Sequence, residues 1–565
     1  MFSRIDTDSN NGNTIIDSLC IGSGRFLRAV LVPSLVSANY HPAIIQTRGR
    51  TFLDYCQTKA PTQKDPSISW TYEIDTVHYD GRIETTSVPC WGAGTLGSPD
   101  GKQDVLDLCA KLSGANLSKP LLIGIGVTEA GLSRADTKSM KDLYDVLKAL
   151  SRTSCQQKIC VINTDNVSKN GDVMKGFMTE IAIGENNVDM QAFLTDSVTF
   201  HNTMVDRITS QRPNSDGLIP RAEPTPLKAL VIEDLGNDLP SCFSENALKE
   251  QCGVMVRTTK GKLDADIALK LRIANGTHTA IAHTMALMGH VTTDYLSSGS
   301  DTATMLMKYL DSFFVQQILK GIEVTTDFEV SKSDAQAVYD DWRRRLAHAH
   351  FGLSTFFITQ NGAAKGGIRI GPTIRDLILA AANSSSKETA PTGSCTTPIR
   401  CSTVFALAAI LRFLTTEKMS TNGTVFEGKL DSKRNAHTSM NTEKALKGAV
   451  TYADGLGYNL LRGTYEFRCD CEIDIPNGKG PVPIPRALGS INAGKQPKEY
   501  EAIVRAYLCK SNGGDLASIK NTQVFGVLAK AVAILYARMR AGDAILDILN
   551  DLDLEADCMT LVDGE

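Results

Sequence analysis

The stretch Ile21-Gly-Ser-Gly-Arg-Phe-Leu-Arg-Ala29, IGSGRFLRA, closes an apolar run, TIIDSLCI (Thr14 to Ile21), with two glycines one residue apart. An apolar, β-rich run that ends in glycines and passes into a helix-forming stretch is the opening of a strand–turn–helix unit. Gly22 permits the tight turn, and Gly24 lets the backbone approach a pyrophosphate. A helix starting near Arg25 and Phe26 points its unpaired amides and partial positive charge at such an anion. The third glycine of the usual G-x-G-x-x-G loop is missing, because position 27 is leucine. That glycine normally permits close helix–strand packing, a role separable from phosphate contact. Taken alone, the loop fits a nucleotide site and a plain strand–turn–helix equally well.

Outward from this loop, FLRAVLVPSLVSA reads as a helix with Pro33 as a perturbation inside it. AIIQT (Ala43 to Thr47) is a second short strand. PLLIGIGV (Pro120 to Val127) and KICVIN (Lys158 to Asn163) are continuous apolar runs, as buried parallel strands are. Between those two, DTKSMKDLYDVLKALSR (Asp136 to Arg152) has helical spacing. Alternating strands and helices predict an α/β fold with a Rossmann-type doubly wound sheet. The segment TSQRPNSDGLIPRAEPTPLK (Thr209 to Lys228) is rich in Pro, Gly, Ser and charge, and reads as a crossing between domains. Patterning beyond it is mostly helical, including a run over 524–549. The expected domains are therefore residues 1–222, dinucleotide-binding, and 223–565, a mostly α-helical substrate domain.

A chain of 565 residues exceeds one ordinary core. Its net charge of −4, without a basic stripe, gives no reason to expect nucleic acid or an anionic membrane surface as a partner. The fourteen cysteines are scattered, and Cys469 and Cys471 stand too close for zinc-finger spacing. Reduced thiols and no metal are expected. MFSRIDTDSNNGN lacks the apolar segment of a secretory signal. The apolar stretch VFALAAIL (Val404 to Leu411) falls far short of the roughly 20 residues a membrane helix needs. A cytoplasmic protein is the expectation.

The second strand ends Gln46-Thr47-Arg48-Gly49-Arg50, with no acidic residue where a ribose 2′-hydroxyl is usually held. Arginines there, Arg48 first, suit a 2′-phosphate; solvated loop arginines are the plain alternative. Thr128 and Glu129 follow a strand's carboxyl end, where open α/β sheets bind ligands. The richest chemistry lies in LKLRIANGTHTAIAH, where Lys270, Asn275 and His278 stand at i, i+5 and i+8. A lysine among apolar neighbours suits a general acid or base, an amide donates to a developing alkoxide, and a histidine orients the lysine. An amphipathic helix with one snorkelling lysine accounts for the same spacing.

The motifs GSGRFLRA, VTEAG, NTDNVSKNG, MVDRI, VIED and K-x4-N-G-x-H occur in this order, and together they resemble the polyol-specific long-chain dehydrogenase family over about Ile15 to Leu379. The resemblance implies an N-terminal Rossmann-type domain and a helical C-terminal domain. It implies metal-independent, NAD- or NADP-linked interconversion of a sugar alcohol and a ketose by a chain that is often monomeric. It assigns Lys270 as general acid/base, Asn275 and Asn166 as donors to the reacting oxygen, and His278 as the group orienting the lysine. Asp206, from MVDRI, and Lys365, from NGAAK, become substrate contacts. A hexuronate reductase, acting on fructuronate or tagaturonate, is the alternative within the class, and a catalytically silent nucleotide-binding regulator the alternative outside it. The chain departs from the pattern at Ile267, where an acidic residue is usual and Asp264 or Asp266 could substitute. It departs again in LSTFFITQ, which lacks the expected arginine.

Overall fold

The computed structural model describes residues 16–58, 70–113, 117, 119–126, 129–152, 158–165, 167–215, 217–359, 362–385, 397–419, 450–452, 472–474, 481–510 and 516–564. The chain divides into two compact units, Met1–Ile267 and Ala268–Glu565.

In the first unit, β1 (Ser18–Ile21) and β2 (Pro42–Gln46) are fully buried strands of four and five residues. A hairpin of β3 (Trp70–Val77) and β4 (Ile83–Cys90) follows, and then β5 (Gly92–Thr95). The strands β6 (Leu121–Ile125), β7 (Ile159–Asn163) and β8 (Val198–His201) come next. Six of these form one parallel sheet in the order β5-β2-β1-β6-β7-β8. Continuous apolar runs such as LLIGI are what a sheet covered on both faces requires. The strand order reverses between β1 and β6. At such a switch point the crossover helices diverge and leave a crevice at the carboxyl ends of the strands.

Gly22 and Gly126 meet at this point. The Gly22 amide donates to the Ile45 carbonyl, and the Gly126 amide to that of Ile21, each at 2.8 Å. Gly22 has φ +113°, and a Cβ on it would run into the Gly126 carbonyl oxygen. The missing third glycine has its explanation here. Leu27 is wholly buried, and a Cβ added to Gly126 would stand 2.8 Å from the Leu27 Cβ. A Cβ on Gly124 would stand 2.6 Å from Leu31 Cδ2. The small residues that let helix and sheet approach sit on β6 and just past it, and the large ones on the helix.

That helix opens as a π-helical turn, Leu27–Leu31, and continues as an α-helix, Val32–Ser37. Pro33 is the cause available in the sequence, since it carries no N–H and its ring crowds the carbonyl four residues back. That carbonyl belongs to Ala29, and the Arg207 guanidinium donates to it at 2.8 Å. The Tyr72 hydroxyl donates to the neighbouring Arg28 carbonyl at 2.6 Å. The perturbed turn is thus satisfied from outside its own helix.

The remaining strands are β9 (Thr203–Val205), β10 (Thr209–Gln211), β11 (Pro220–Ala222), β12 (Leu230–Glu233) and β13 (Val254–Arg257). The Pro- and Gly-rich segment expected as a crossing is built into this unit: β10 pairs with β11, and β11 with β3. Pro220 is tolerated as the first residue of its strand. Arg212 closes the layer with hydrogen bonds to buried Asp75 at 2.7 and 2.6 Å and to Glu73 at 2.8 Å. The hairpin β3–β4, which the apolar-run pattern did not mark, carries an exposed outer strand, IETTSVPC.

The second unit is mostly helical, with two short antiparallel pairs, Thr416–Met419 with Val450–Tyr452 and Glu472–Asp474 with Pro481–Pro483. Helix Gly276–Leu287 packs against helices Thr355–Thr359, Gly362–Arg369 and Cys401–Leu414. Cys401–Leu414 is buried along almost its whole length and also packs on Gln523–Ala541. The run expected to be continuous over 524–549 breaks at Gly542, whose φ of +108° ends the helix in the left-handed region. No helix among the described residues is long and apolar enough to cross a membrane.

Gly126→Ala is expected to lose about 1–3 kcal/mol, because the backbone and the Leu27 Cβ must both shift. Urea unfolding reads this; an unchanged midpoint contradicts the packing described.

Candidate functional site

In the first unit, the glycine loop is rigid where it faces the protein and open where it faces outward. Arg28, the arginine of GRFLRA, is buried and donates from Nε to the Ser23 carbonyl at 2.9 Å. Its terminal nitrogens donate to the carbonyls of Gly217, at 2.8 Å, and Leu218. Phe26 is partly buried against the core, and Arg25 is exposed. Gly24 differs from Gly22. The nearest atom to a Cβ placed on it is the Gly126 carbonyl oxygen at 3.7 Å, an ordinary contact. No contact among the described residues requires glycine at 24. The Arg28 amide donates to the Gly24 carbonyl at 3.1 Å, so the helix begins here, and its first amides lie ahead of any intrahelical partner.

At the end of β2, Gln46 is turned inward. Its Oε1 accepts from the Phe52 and Leu53 amides at 3.0 and 3.4 Å, and its Nε2 donates to the Arg48 carbonyl at 2.7 Å. Arg50 pairs with Asp54 at 3.3 Å. The Arg48 guanidinium is exposed and makes no ion pair among the described residues. Glu129 opens a single 3₁₀ turn, Glu129–Leu132. Thr128 and Asn166 lie outside the described residues.

Asp206 follows β9, half-buried, with its amide donating to the Ala229 carbonyl at 3.0 Å. The next residue, Arg207, clamps the Glu223 and Ala29 carbonyls and so fixes the turn that presents Asp206. Asp266 is consumed structurally: Lys228 pairs with it at 2.6 Å and Arg257 at 2.7 Å. Asp264 is exposed.

In the second unit, Lys270 to Asn275 form a π-helical turn between helices Lys262–Leu269 and Gly276–Leu287. In an α-helix, residues five apart lie about 140° around the axis from each other. A π turn, with i→i+5 bonding, is wider and reduces that angle between positions 270 and 275. Ile273 and Ala274 are buried, as is Arg272, which pairs with Asp376 at 2.7 Å, while Lys270, Leu271 and Asn275 are half-buried. His278 follows one turn on. The Thr277 hydroxyl beside it donates to the Ile273 carbonyl at 2.6 Å and accepts from Trp342 Nε1 at 3.0 Å.

One functional candidate was not marked by the sequence pattern. Arg369 donates from Nη1 to His278 Nε2 and to Thr279 Oγ1, both at 2.8 Å. Lys365 stands one turn before it on helix Gly362–Arg369, and its ammonium donates to the Ile358 carbonyl at 2.8 Å. The i, i+4 spacing in KGGIR was the available signal. Burial pushes the Arg369 guanidinium down to about 10. Burial also holds His278 well below the usual imidazole range, and the charges of Arg369, Lys365 and Lys270 reinforce this. His278 is therefore neutral. The charges of Lys270, Lys365 and Arg369 thus act on an uncharged His278; no group able to hold a metal ion occurs among the described residues.

Comparison with known proteins agrees with this architecture. Residues 17–237 match the mannitol dehydrogenase Rossmann domain. A mannitol 2-dehydrogenase from Pyrenophora tritici-repentis (strain Pt-1C-BFP) is 27% identical over 139 residues, covering 23% of this chain and 24% of that protein's length. Among solved structures, a ternary complex of Pseudomonas fluorescens mannitol 2-dehydrogenase with NAD and D-mannitol is similar over 96% of this chain and 94% of its own, at 15% identity and TM-score 0.57. A substrate-free D-sorbitol dehydrogenase is similar over 79% and 87% respectively, at 15% identity and TM-score 0.53. At that identity the structural likenesses speak to fold alone, and they share the arrangement of an N-terminal parallel sheet followed by helices. Residues 17–237 thus match the mannitol dehydrogenase Rossmann domain, and the chain shares its fold with the two solved polyol dehydrogenases.

Proposed function

We propose that this chain is a nicotinamide-dinucleotide-dependent secondary alcohol dehydrogenase that interconverts a polyol and a ketose. The observation that supports the reading is the π-helical turn Lys270–Asn275, which carries both residues at its ends and is followed one turn on by His278, held well below the usual imidazole range by burial. When bound, the oxidised dinucleotide supplies the acceptor for the hydride that leaves the carbinol carbon. Lys270 removes the hydroxyl proton in that direction and returns it in the other. The Asn275 amide donates to the oxygen as charge develops on it. The family likeness adds Asn166 as a second donor and Asp206 and Lys365 as substrate contacts. The proposed locale is cytoplasmic.

The chain's own residues fit the dinucleotide. Gly24 leaves room that no neighbouring residue fills, at the switch point and beside the first amides of a helix. At the ribose end, Gln46 is occupied by its own loop and Arg48 is unengaged, which favours a 2′-phosphate and hence NADP(H). A second substrate reading rests on Arg369 and Lys365. Two cations besides Lys270 suit an anionic substrate such as a hexuronate.

Absorbance at 340 nm, with either dinucleotide and a panel of polyols, ketoses and hexuronates, tests the reaction and its substrate together. Silence across the panel overturns the enzymatic reading in favour of a non-catalytic nucleotide binder. Lys270→Ala is expected to lower turnover by about 10²–10⁴-fold while dinucleotide still binds; near-normal turnover removes Lys270 from its role. Arg48→Ala is expected to weaken NADPH binding about tenfold and leave NADH unchanged, read by cofactor fluorescence titration.

A further inference from the structure

His278 was expected to orient Lys270 by a hydrogen bond, and which bond it can make depends on where its proton sits. A neutral imidazole has one donor nitrogen and one acceptor, and the partner of one nitrogen decides the role of the other. The partner at Nε2 is Arg369 Nη1, at 2.8 Å. A guanidinium carries only donors, so Nε2 must accept. The ring proton is then on Nδ1, which is buried and has no hydrogen-bond partner among the described residues.

Arg369 is itself well anchored. The same Nη1 lies 2.8 Å from Thr279 Oγ1, and helix Gly362–Arg369 approaches the helix bearing His278 closely: a Cβ on Gly276 would stand 3.2 Å from the Arg369 carbonyl oxygen. The Trp342 ring packs 5.7 Å from the imidazole, centroid to centroid. The titratable groups that face His278 are Arg369, Lys365, Lys270 and His283. His283 donates from its own Nδ1 to the Thr279 carbonyl at 2.7 Å. None of these groups is an acid, so nothing in the cluster stabilises an imidazolium.

We propose that Arg369 is a positioning residue of this site: by occupying Nε2 it fixes His278 as a neutral imidazole whose only free group is an Nδ1–H donor. This rests on the dehydrogenase reading for its purpose, though not for its geometry. An Nδ1–H cannot accept from an ammonium. It makes no hydrogen bond among the described residues, and as a donor it suits only an acceptor, such as the lone pair of unprotonated Lys270 or an oxygen of the substrate. Arg369 therefore selects the base form of the lysine by dictating the tautomer of its neighbour, without itself touching the reacting atoms.

The test reads the tautomer directly. In full-length protein with ¹⁵N-labelled histidine rings, the His278 signals are assigned by their loss in His278→Gln. The expected result is Nδ1–H, Nε2-bare shifts that do not titrate between about pH 5.5 and 8. Arg369→Met, which removes the donor, is expected to mix the tautomers and let the ring titrate; Arg369→Lys, which keeps a donor, retains the wild-type pattern. An Nε2–H or titrating ring in the wild type overturns the proposal, as does an unchanged spectrum in Arg369→Met. With a substrate in hand, Arg369→Met is expected to lower kcat about 10–100-fold at unchanged dinucleotide Kd, with partial recovery on adding guanidinium. Unchanged kcat in that variant, alongside a dead Lys270→Ala, overturns the positioning role and leaves the proposed activity standing. A wild type inert toward every substrate sinks the activity, and the ring spectra still decide the tautomer.

Discussion

The close approach of one helix to one sheet governs the first unit. A Rossmann-type crevice opens only if the helix after the first strand lies nearly in contact with the strands beneath it. Here the backbones of Gly22 and Gly126 touch, and Leu27 and Leu31 drop into the space that Gly124 and Gly126 leave vacant. Two fully buried leucines thereby contribute apolar area that a glycine at position 27 would forgo. Gly24 plays no part in this packing, since a Cβ on it would meet the Gly126 carbonyl oxygen only at an ordinary 3.7 Å.

Both units use a widened helical turn, with opposite outcomes. In Leu27–Leu31 the widening accompanies Pro33, and the displaced carbonyls are taken up by Arg207 and Tyr72. The result is a tether from β3 and the MVDRI segment to the helix that begins the fold. In Lys270–Asn275 no proline intervenes, and the widened turn carries polar residues at both ends. Turns of this kind depart from regular hydrogen bonding and persist only where the surroundings hold them. Around the second one, the buried Arg272–Asp376 pair and the Trp342–Thr277 bond supply that support.

What was legible in the sequence was whatever depends on neighbours along the chain. Continuous apolar runs gave β1, β2, β6 and β7 to within a few residues, since a strand buried on both faces leaves no other pattern. Pro33 announced a disturbance, and the K-x4-N-G-x-H spacing fell on a π-helical turn and the start of the helix after it. What was not legible depends on contacts made at long range. Gly126 excuses Leu27 from about a hundred residues away, which no local reading of IGSGRFLRA reveals. The β10–β11 segment looks like a linker because its composition is polar, yet its strands are closed by Arg212 against acids on β3. Arg369 has no local signature beyond its i, i+4 spacing from Lys365, and its partner His278 lies 91 residues away in sequence.

The exchange of volume between position 27 and β6 has a consequence for how such chains diverge. The gap between helix and sheet has a fixed width, so the two sides can trade bulk only reciprocally. A lineage that regains glycine at 27 relaxes the demand for glycine at 126, and a lineage that fills 126 must first shrink 27. The two positions should therefore drift as a coupled pair. In relatives of this chain, the glycine signature of the fold is better sought as a sum over both partners than as a motif in either one.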